Sequence, residues 1–196
     1  SANISDAIFS MEQSDSIGPR FAEDLKGAAA QSVVYAIVII FLYILIRFRK
    51  WTFSAGAVAA LLHDVVITLG IFTLLSDVVS FNLLIDQNII AAFLTIVGYS
   101  LNDTVVVFDR IRENKLVHKG MDTIAMFNKS LNDTLSRTVI TSLTTFFVVT
   151  ILFIFGGEVL KGLSFALIIG VILGTYSSLF VASPLVLELD PKKTTK

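Results

Sequence analysis

One aspartate lies inside a long apolar stretch of the sequence, where a carboxylate is costly. Asp103 is the single acidic residue in residues 87–108, and this stretch of 22 residues contains no lysine or arginine. At membrane depth an ionised side chain costs several kcal/mol and is rarely kept without a role. Asp103 is therefore the first candidate for binding a proton or an ion. The alternative is a carboxylate that reaches the membrane interface or ties two helices together.

Polar side chains surround Asp103 within about one turn of the predicted helix. They are Tyr99, Ser100, Asn102 and Thr104. Thr95, Tyr99 and Asn102 follow the spacing i, i+4, i+7, so they form a stripe along one side of the helix. We expect this stripe to face protein or water rather than lipid.

A candidate partner for Asp103 is Arg137, which begins the fourth apolar stretch. An arginine at the end of a transmembrane helix often extends toward lipid phosphate. If Arg137 points inward instead, its charge attracts an ionised Asp103, whereas burial favours the uncharged acid. Competition between these two effects would make Asp103 suited to gain and lose a proton.

His63 and Asp64 form a second ionisable pair, at the midpoint of the second apolar stretch. Adjacent residues point about 100° apart on a helix, so we expect the two side chains not to satisfy each other. Each then needs its own partner on another helix. The sequence leaves two roles open for this pair, structural hydrogen bonding across the bundle and a proton relay.

The elements that must position these residues follow from composition. Mean hydropathy is +0.81, 55% of residues are hydrophobic and 16% are charged, which is too little charge to cover a soluble domain. Five stretches reach the roughly 20 residues that a transmembrane helix needs. They are residues 27–46, 51–76, 87–108, 138–157 and 162–187. We therefore predict an all-α membrane protein with five transmembrane helices.

Basic residues are divided unequally between the two ends of these helices. Twelve of the 15 Lys and Arg residues follow the first stretch, separate the third from the fourth, or lie in the tail. The positive-inside rule makes that side cytoplasmic, with the N-terminus outside and the C-terminus inside. We expect residues 109–137 to form two cytoplasmic helices broken at Gly120, and residues 188–196 a cytoplasmic tail. Residues 1–26 lack the pattern of a signal peptide, which favours a fragment of a longer protein.

Small residues indicate where helices can pack closely. The fifth stretch contains the GxxxG pattern of Gly170 and Gly174. Such a pair lets two helix backbones approach each other in a membrane. We expect a close-packed bundle, and the pattern itself indicates no function.

Several classes of function lack support in the sequence. The chain has no cysteine, which removes disulfides and thiolate metal sites, and its net charge of −1 gives no sign of nucleic-acid binding. The HExxH, GxSxG and P-loop motifs do not occur. Asp64 and Asp103 match the two aspartates of an intramembrane aspartyl protease by position, but the GxGD element of those enzymes is missing. We expect no enzymatic activity, no cofactor and no bound metal.

The sequence GYSLNDTVVVFDRIREN at residues 98–114 resembles the most recognisable segment of the SecF family of protein-export membrane proteins. Residues 16–19 are similar to the SxGP element before the family's second helix, residues 62–65 to its third helix and residues 135–138 to its fifth. The resemblance covers nearly the whole chain. It implies helices two to six of the family, half of an RND-type transmembrane bundle, with residues 1–26 as the end of an extracytoplasmic domain.

The resemblance also implies a function. Asp103 would be the family's proton-carrying aspartate and Arg137 its charged partner. SecF works in the bacterial cytoplasmic membrane with SecD, beside the SecYEG channel, and uses the proton-motive force to help pull preproteins outward after SecA has pushed them in. The alternatives are a static structural subunit, in which Asp103 and Arg137 form a fixed tie, and another RND-type proton-driven exporter.

Overall fold

The computed structural model describes residues 19–79 and 81–190, with side chains from residue 27 onward. This part of the chain is helical and contains no strand. Its helices are α1 (Pro19–Phe48), α2 (Trp51–Leu75), α3 (Gln87–Val117), α4 (Thr123–Phe155), α5 (Glu158–Ser177) and α6 (Ser183–Glu188). A π-helical segment, Ser178–Ala182, joins α5 to α6, so Glu158–Glu188 is one long helix.

Five helical stretches of the described chain are long and apolar enough to cross a membrane. They confirm the predicted all-α class with five transmembrane helices. Their ends differ from the predicted ones, because α3 continues to Val117 and α4 begins at Thr123. Residues 109–137 are therefore not two separate helices, but the ends of α3 and α4 with the turn at Gly120 between them. A helix satisfies its backbone hydrogen bonds internally, so it continues through charged residues wherever these reach a polar environment.

The N-terminal boundary also differs from the prediction. Helix α1 begins at Pro19, a residue type favoured in the first turn because it lacks the N–H that a helix start leaves unpaired. Residues 19–26 therefore belong to the same helix as the first apolar stretch. The predictions for residues 1–18 and 191–196 lie outside the described residues.

Helices α3 and α5 approach each other closely at two glycines. A Cβ atom added to Gly170 would lie 2.2 Å from the side chain of Ile96. One added to Gly174 would lie 3.0 Å from the Cβ of Ser100. The GxxxG pattern thus allows the close packing expected of it, and it brings α5 against the turn of α3 that precedes Asp103.

Of three apolar clusters in the described residues, the two larger ones lie one toward each end of the helices. One cluster centres on Phe48, Phe53 and Phe108, whose ring centroids are 5.0 to 5.9 Å apart. The other includes Phe72 and Phe93, at 5.8 Å. Along α2, α3 and α5, buried polar residues come between members of the two clusters. The polar residues therefore form an internal layer with apolar side chains on both sides.

Ion pairs connect several helix ends at one end of the bundle. They are Arg47–Asp109 at 2.8 Å, Arg110–Asp133 at 2.7 Å, and Lys115–Asp190. Pairs that remain partly exposed contribute little to stability. These ion pairs nevertheless show the arrangement of the helix ends. They place the ends of α1 and α3, the polar part of α4 and the chain after α6 on the same side of the bundle.

Candidate functional site

Asp103 lies on the buried side of α3, with a residue surface that is 4% exposed. One of its carboxylate oxygens, Oδ2, has no hydrogen-bond partner in the described part of the chain. Two residues of α4, Arg137 and Ser142, are close enough to act on the carboxylate electrostatically. A buried carboxylate oxygen without a donor makes the ionised form of the acid costly. A donor that reached Oδ2 would stabilise an ionised Asp103.

Arg137 is exposed on α4 and lines a polar cavity of about 340 Å³. The other lining residues are Val106, Asp109, Arg110, Glu113, Asp133 and Thr134. Among the described residues no hydrogen bond or ion pair joins Arg137 to Asp103. The charge of Arg137 acts on Asp103 across a gap, and direct pairing of the two stays a prediction.

Asp64 joins three helices. It lies on α2 with a side chain that is 1% exposed, and its Oδ2 accepts hydrogen bonds from two serines. The hydroxyl of Ser100 on α3 donates over 2.6 Å, and the hydroxyl of Ser177 on α5 donates over 2.7 Å. A buried carboxylate with such donors keeps its hydrogen bonding satisfied, in contrast to Asp103.

His63 contacts Asp64 directly, and the prediction that the two side chains cannot satisfy each other was wrong. The Nδ1 of His63 lies 3.0 Å from the Oδ1 of Asp64. The Cα–Cβ bonds of neighbouring residues do diverge on a helix, but rotation about the side-chain torsions lets both polar ends return to a common point. The ring of His63, with 26% of its side chain exposed, also stacks on Tyr176 at 6.1 Å between centroids.

The change from α-helix to π-helix in the fifth span occurs beside Asp64. Ser177 is the last residue of α5, and Ser178 begins the π-helical segment. The Oγ of Ser178 lies 2.9 Å from the hydroxyl of Thr104 and 3.3 Å from the carbonyl oxygen of Ser100. Two consecutive serines therefore both contribute to the polar layer, and π-helical turns are frequent at functional sites.

A second set of hydroxyl groups joins α3, α4 and α5. The hydroxyl of Tyr99 donates to the Oγ of Ser142 over 3.4 Å, and that Oγ lies 2.6 Å from the Oγ1 of Thr175. Since Ser142 is also close to Asp103, this set links the surroundings of Asp103 to α5.

Four residues of the polar layer were missed by the sequence reasoning: Ser142, Thr175, Ser177 and Ser178. The sequence does contain a pattern that indicates Thr175, Ser177 and Ser178. The polar run at residues 175–178 interrupts a stretch of 26 uncharged and mostly apolar residues.

Asn102 does not join this polar layer. It is exposed on α3, as is Thr95, whose hydroxyl donates to the carbonyl oxygen of Ala91 over 2.8 Å. Tyr99 lies between them in the predicted stripe and is half-buried. Within residues 19–79 and 81–190 no other helix covers Asn102 and Thr95, so the expectation that the stripe faces protein or water rather than lipid stays a prediction.

The arrangement offers two acids of different character in one layer. Asp64 has three donors or potential donors around it, whereas Asp103 keeps an oxygen without a partner among the described residues. No group of three His, Asp or Glu side chains suited to a metal ion occurs in that same part of the chain. Proton exchange at Asp103 stays a prediction at this point.

A family model described as "Protein export membrane protein SecD/SecF, C-terminal" matches residues 2–192. Two curated relatives are each called protein translocase subunit SecF. The one from Rhodothermus marinus is 65% identical over 184 residues, which are 94% of this chain and 59% of the relative. The one from Petrotoga mobilis is 43% identical over 196 residues, 99% of this chain and 63% of the relative. The chain thus spans about three fifths of the length of these relatives.

Two solved structures share the fold. A crystal structure of SecDF in a super-membrane-facing form has a TM-score of 0.78 and 40% identity, over 90% of this chain and 23% of that one. A crystal structure of SecDF from Thermus thermophilus, described as a translocon-associated membrane protein, has a TM-score of 0.77 and 43% identity, over 87% of this chain and 23% of that one. The described helices therefore match one part of a larger membrane protein.

Proposed function

Because the chain belongs to the SecD/SecF family of protein-export membrane proteins, we propose that it is the transmembrane part of an accessory subunit of the bacterial Sec translocase. The subunit uses the proton-motive force to assist preprotein export across the cytoplasmic membrane. The observation that carries this proposal is Asp103, a buried acid within apolar helices whose Oδ2 has no hydrogen-bond partner among the described residues. Such an acid is suited to exchange a proton.

The membrane potential supplies sufficient energy for this role. One elementary charge that crosses 100 mV is worth about 2.3 kcal/mol. Since about 1.4 kcal/mol corresponds to a factor of ten, one proton shifts a two-state equilibrium roughly 50-fold. A change of this size in the equilibrium constant is sufficient to convert one helix packing into another when the two have similar free energies.

Arg137 supplies the charge that responds to Asp103. When Asp103 loses its proton, the resulting anion attracts the guanidinium from the cavity between α3 and α4; when the proton returns, the attraction ends. The absence of a direct contact in the described chain fits the protonated acid. Since Asp103 lies on α3 and Arg137 on α4, the cycle moves these two helices relative to each other. The movement passes through α1 to the extracytoplasmic domain, which in this proposal ends before Pro19.

The proposal includes an orientation and a set of partners. The N-terminus is outside and the C-terminus is cytoplasmic, as the distribution of basic residues favours. Residues 109–137 then lie on the cytoplasmic side, where the ion pairs gather the helix ends. The partners are SecD, the SecYEG channel, the SecA pathway and the translocating preprotein. Support for the channel comes from a solved relative described as translocon-associated.

The test is Asp103→Asn in the full-length protein, assembled with SecD in membrane vesicles. The amide keeps the size of the side chain but cannot carry a proton. We expect export to fall to the level measured without a proton gradient, while ATP-driven export without a gradient is unchanged. Asp77→Asn is the matched control, because Asp77 is an exposed acid in the turn after α2. It should keep the full response to the gradient.

The same assay separates the alternatives. If Asp103→Asn retains gradient-dependent export, the acid is a structural tie and the proposal is wrong. If the wild-type protein moves protons but leaves preprotein export unchanged, the chain belongs to another kind of proton-driven exporter. In that case the transport of small molecules or lipids is the measurement to make.

A further inference from the structure

We propose that Asp64 is a positioning residue, a fixed hydrogen-bond acceptor that holds α3 against α5 and so sets the place of Asp103. It does not carry protons itself. This inference rests on the proposed function of Asp103, and it assigns to the other buried acid of the polar layer a role that the proton cycle leaves open.

The hydrogen bonds of Asp64 meet where three helices converge. The carboxylate extends from α2, and its Oδ2 receives the hydroxyl of Ser100 at 2.6 Å and the hydroxyl of Ser177 at 2.7 Å. Both serines are fully buried. One oxygen atom therefore fixes α3 relative to α5, and each serine would lose this acceptor if the carboxylate were removed.

The distance along α3 from this anchor to Asp103 is short. Ser100 precedes Asp103 by three residues, which is less than one helical turn. Thr104, the residue after Asp103, lies 2.9 Å from the hydroxyl of Ser178, the residue after Ser177. A movement of Ser100 relative to α5 therefore changes the position of Asp103 as well.

The packing around the anchor makes its geometry specific. Gly174 on α5 lies so close to Ser100 that an added Cβ would be 3.0 Å from the serine Cβ. Apolar clusters lie on both sides of the polar layer along α2, α3 and α5. In such surroundings a hydrogen bond is strong and a missing one is costly, so the carboxylate fixes both the spacing and the register of α3 and α5.

The contrast with Asp103 argues against proton carriage by Asp64. A proton carrier must change its hydrogen-bond partners when it changes its charge, and Asp103 has an oxygen free among the described residues to do so. At Asp64 the Oδ2 receives two hydroxyl groups, and Oδ1 lies 3.0 Å from the Nδ1 of His63. His63 is also the titratable group that contacts Asp64 in the described chain. Both oxygens of Asp64 are thus engaged.

Two substitutions at Asp64 distinguish positioning from carriage. Asp64→Asn keeps an oxygen that accepts from both serines but cannot carry a proton, whereas Asp64→Leu keeps the number and branching of the side-chain heavy atoms and removes the acceptor. In the full-length protein with SecD in vesicles, we expect Asp64→Asn to retain gradient-driven export with an unchanged pH profile. In Asp64→Leu, gradient-driven export should fall about tenfold or more, equivalent to about 1.4 kcal/mol. The pH profile of this export should also shift, because Asp103 is displaced. Asp64→Asn as inactive as Asp103→Asn, or Asp64→Leu equal to wild type, would overturn the inference.

A second measurement does not depend on proton transport. The chain contains no cysteine, so the pair Thr104→Cys and Ser178→Cys places two unique thiols where hydroxyls lie 2.9 Å apart. We expect rapid disulfide formation that Asp64→Asn leaves unchanged and Asp64→Leu slows. Equal rates in all three backgrounds would show that Asp64 does not position α3.

The two readouts separate the inference from the proposed function. If Asp103→Asn remains active while Asp64→Leu still slows the disulfide, the proton cycle is wrong and Asp64 still holds the helices. If Asp64→Leu fails to accumulate in the membrane, Ser177→Ala supplies the weakened anchor. That variant should slow the disulfide partially, and an unchanged rate contradicts the inference.

Discussion

Two buried aspartates in one polar layer differ in how completely they are hydrogen-bonded. Asp64 accepts from Ser100 and Ser177 and contacts His63, whereas the Oδ2 of Asp103 has no hydrogen-bond partner among the described residues. A satisfied group costs free energy to disturb, and an unsatisfied one costs free energy to keep charged. In our proposals, this difference in hydrogen bonding, rather than a difference in burial, separates the anchor Asp64 from the site of proton exchange at Asp103.

Arg137 should act mainly through its charge. It makes no hydrogen bond or ion pair with Asp103 in the described chain, yet it is close enough to act on it electrostatically. We therefore expect Arg137→Lys to keep most gradient-driven export, because an ammonium group supplies the same charge, and Arg137→Gln to lose it. The measurement is export in vesicles with and without the gradient.

If Arg137→Lys were as inactive as Arg137→Gln, the charge alone would not be sufficient. The working arrangement would then need the planar, two-pronged hydrogen bonding that arginine alone provides. A fully active Arg137→Gln would remove Arg137 from the mechanism.

At the residue scale the sequence indicates which acids are unusual, but not what they touch. Asp103 and Asp64 are found because charge is rare inside apolar stretches. Ser177 is missed because a serine in a membrane helix is ordinary, and its importance depends on a carboxylate on another helix, 113 positions away in sequence. The contact between His63 and Asp64 is missed because side-chain torsions are not determined by the helical wheel.

At the scale of elements, the contact between α3 and α5 depends on small side chains. A Cβ atom added to Gly170 would lie 2.2 Å from the side chain of Ile96. We expect Gly170→Ala to destabilise the folded protein by about 1–3 kcal/mol, the usual cost of overpacking a close contact. Unfolding by denaturant in detergent micelles measures the change.

Gly70→Ala is the matched control for this prediction. Gly70 lies within α2 and has no atom within 4 Å of the position of an added Cβ. Alanine is a better helix former than glycine, so this variant should be neutral or more stable by up to about 1 kcal/mol. If both variants behave alike, the approach of α3 to α5 does not depend on Gly170.

The ends of the elements are harder to predict than their number. Five apolar stretches specify five helices, because about 20 residues are needed to cross the hydrocarbon. The charges between residues 109 and 137 suggest where those stretches end, yet α3 and α4 remain helical through most of them. The ion pair of Arg110 with Asp133 joins the two extensions, and a contact between distant positions is not visible in a local pattern.

For the whole molecule, three ion pairs bring the basic helix ends to one side of the bundle. The turn between α3 and α4 belongs to this side, and the turn between α2 and α3 to the opposite one, since successive spans alternate in direction. The positive-inside rule assigns the basic side to the cytoplasm. With this assignment, which is part of our proposal, the proton gradient is directed from the side of the turn between α2 and α3 to the basic side.

Single cysteines in the two turns test this orientation, because residues 1–196 contain none. Lys119 and Asp77 are exposed, one in each turn. With a thiol reagent that does not cross membranes, we expect Asp77→Cys to be labelled in intact spheroplasts, and Lys119→Cys to be labelled after the membrane is opened. The reverse pattern would put the basic ends outside. Protons driven inward would then enter the bundle from the side of Arg137, and the orientation that we propose would be wrong.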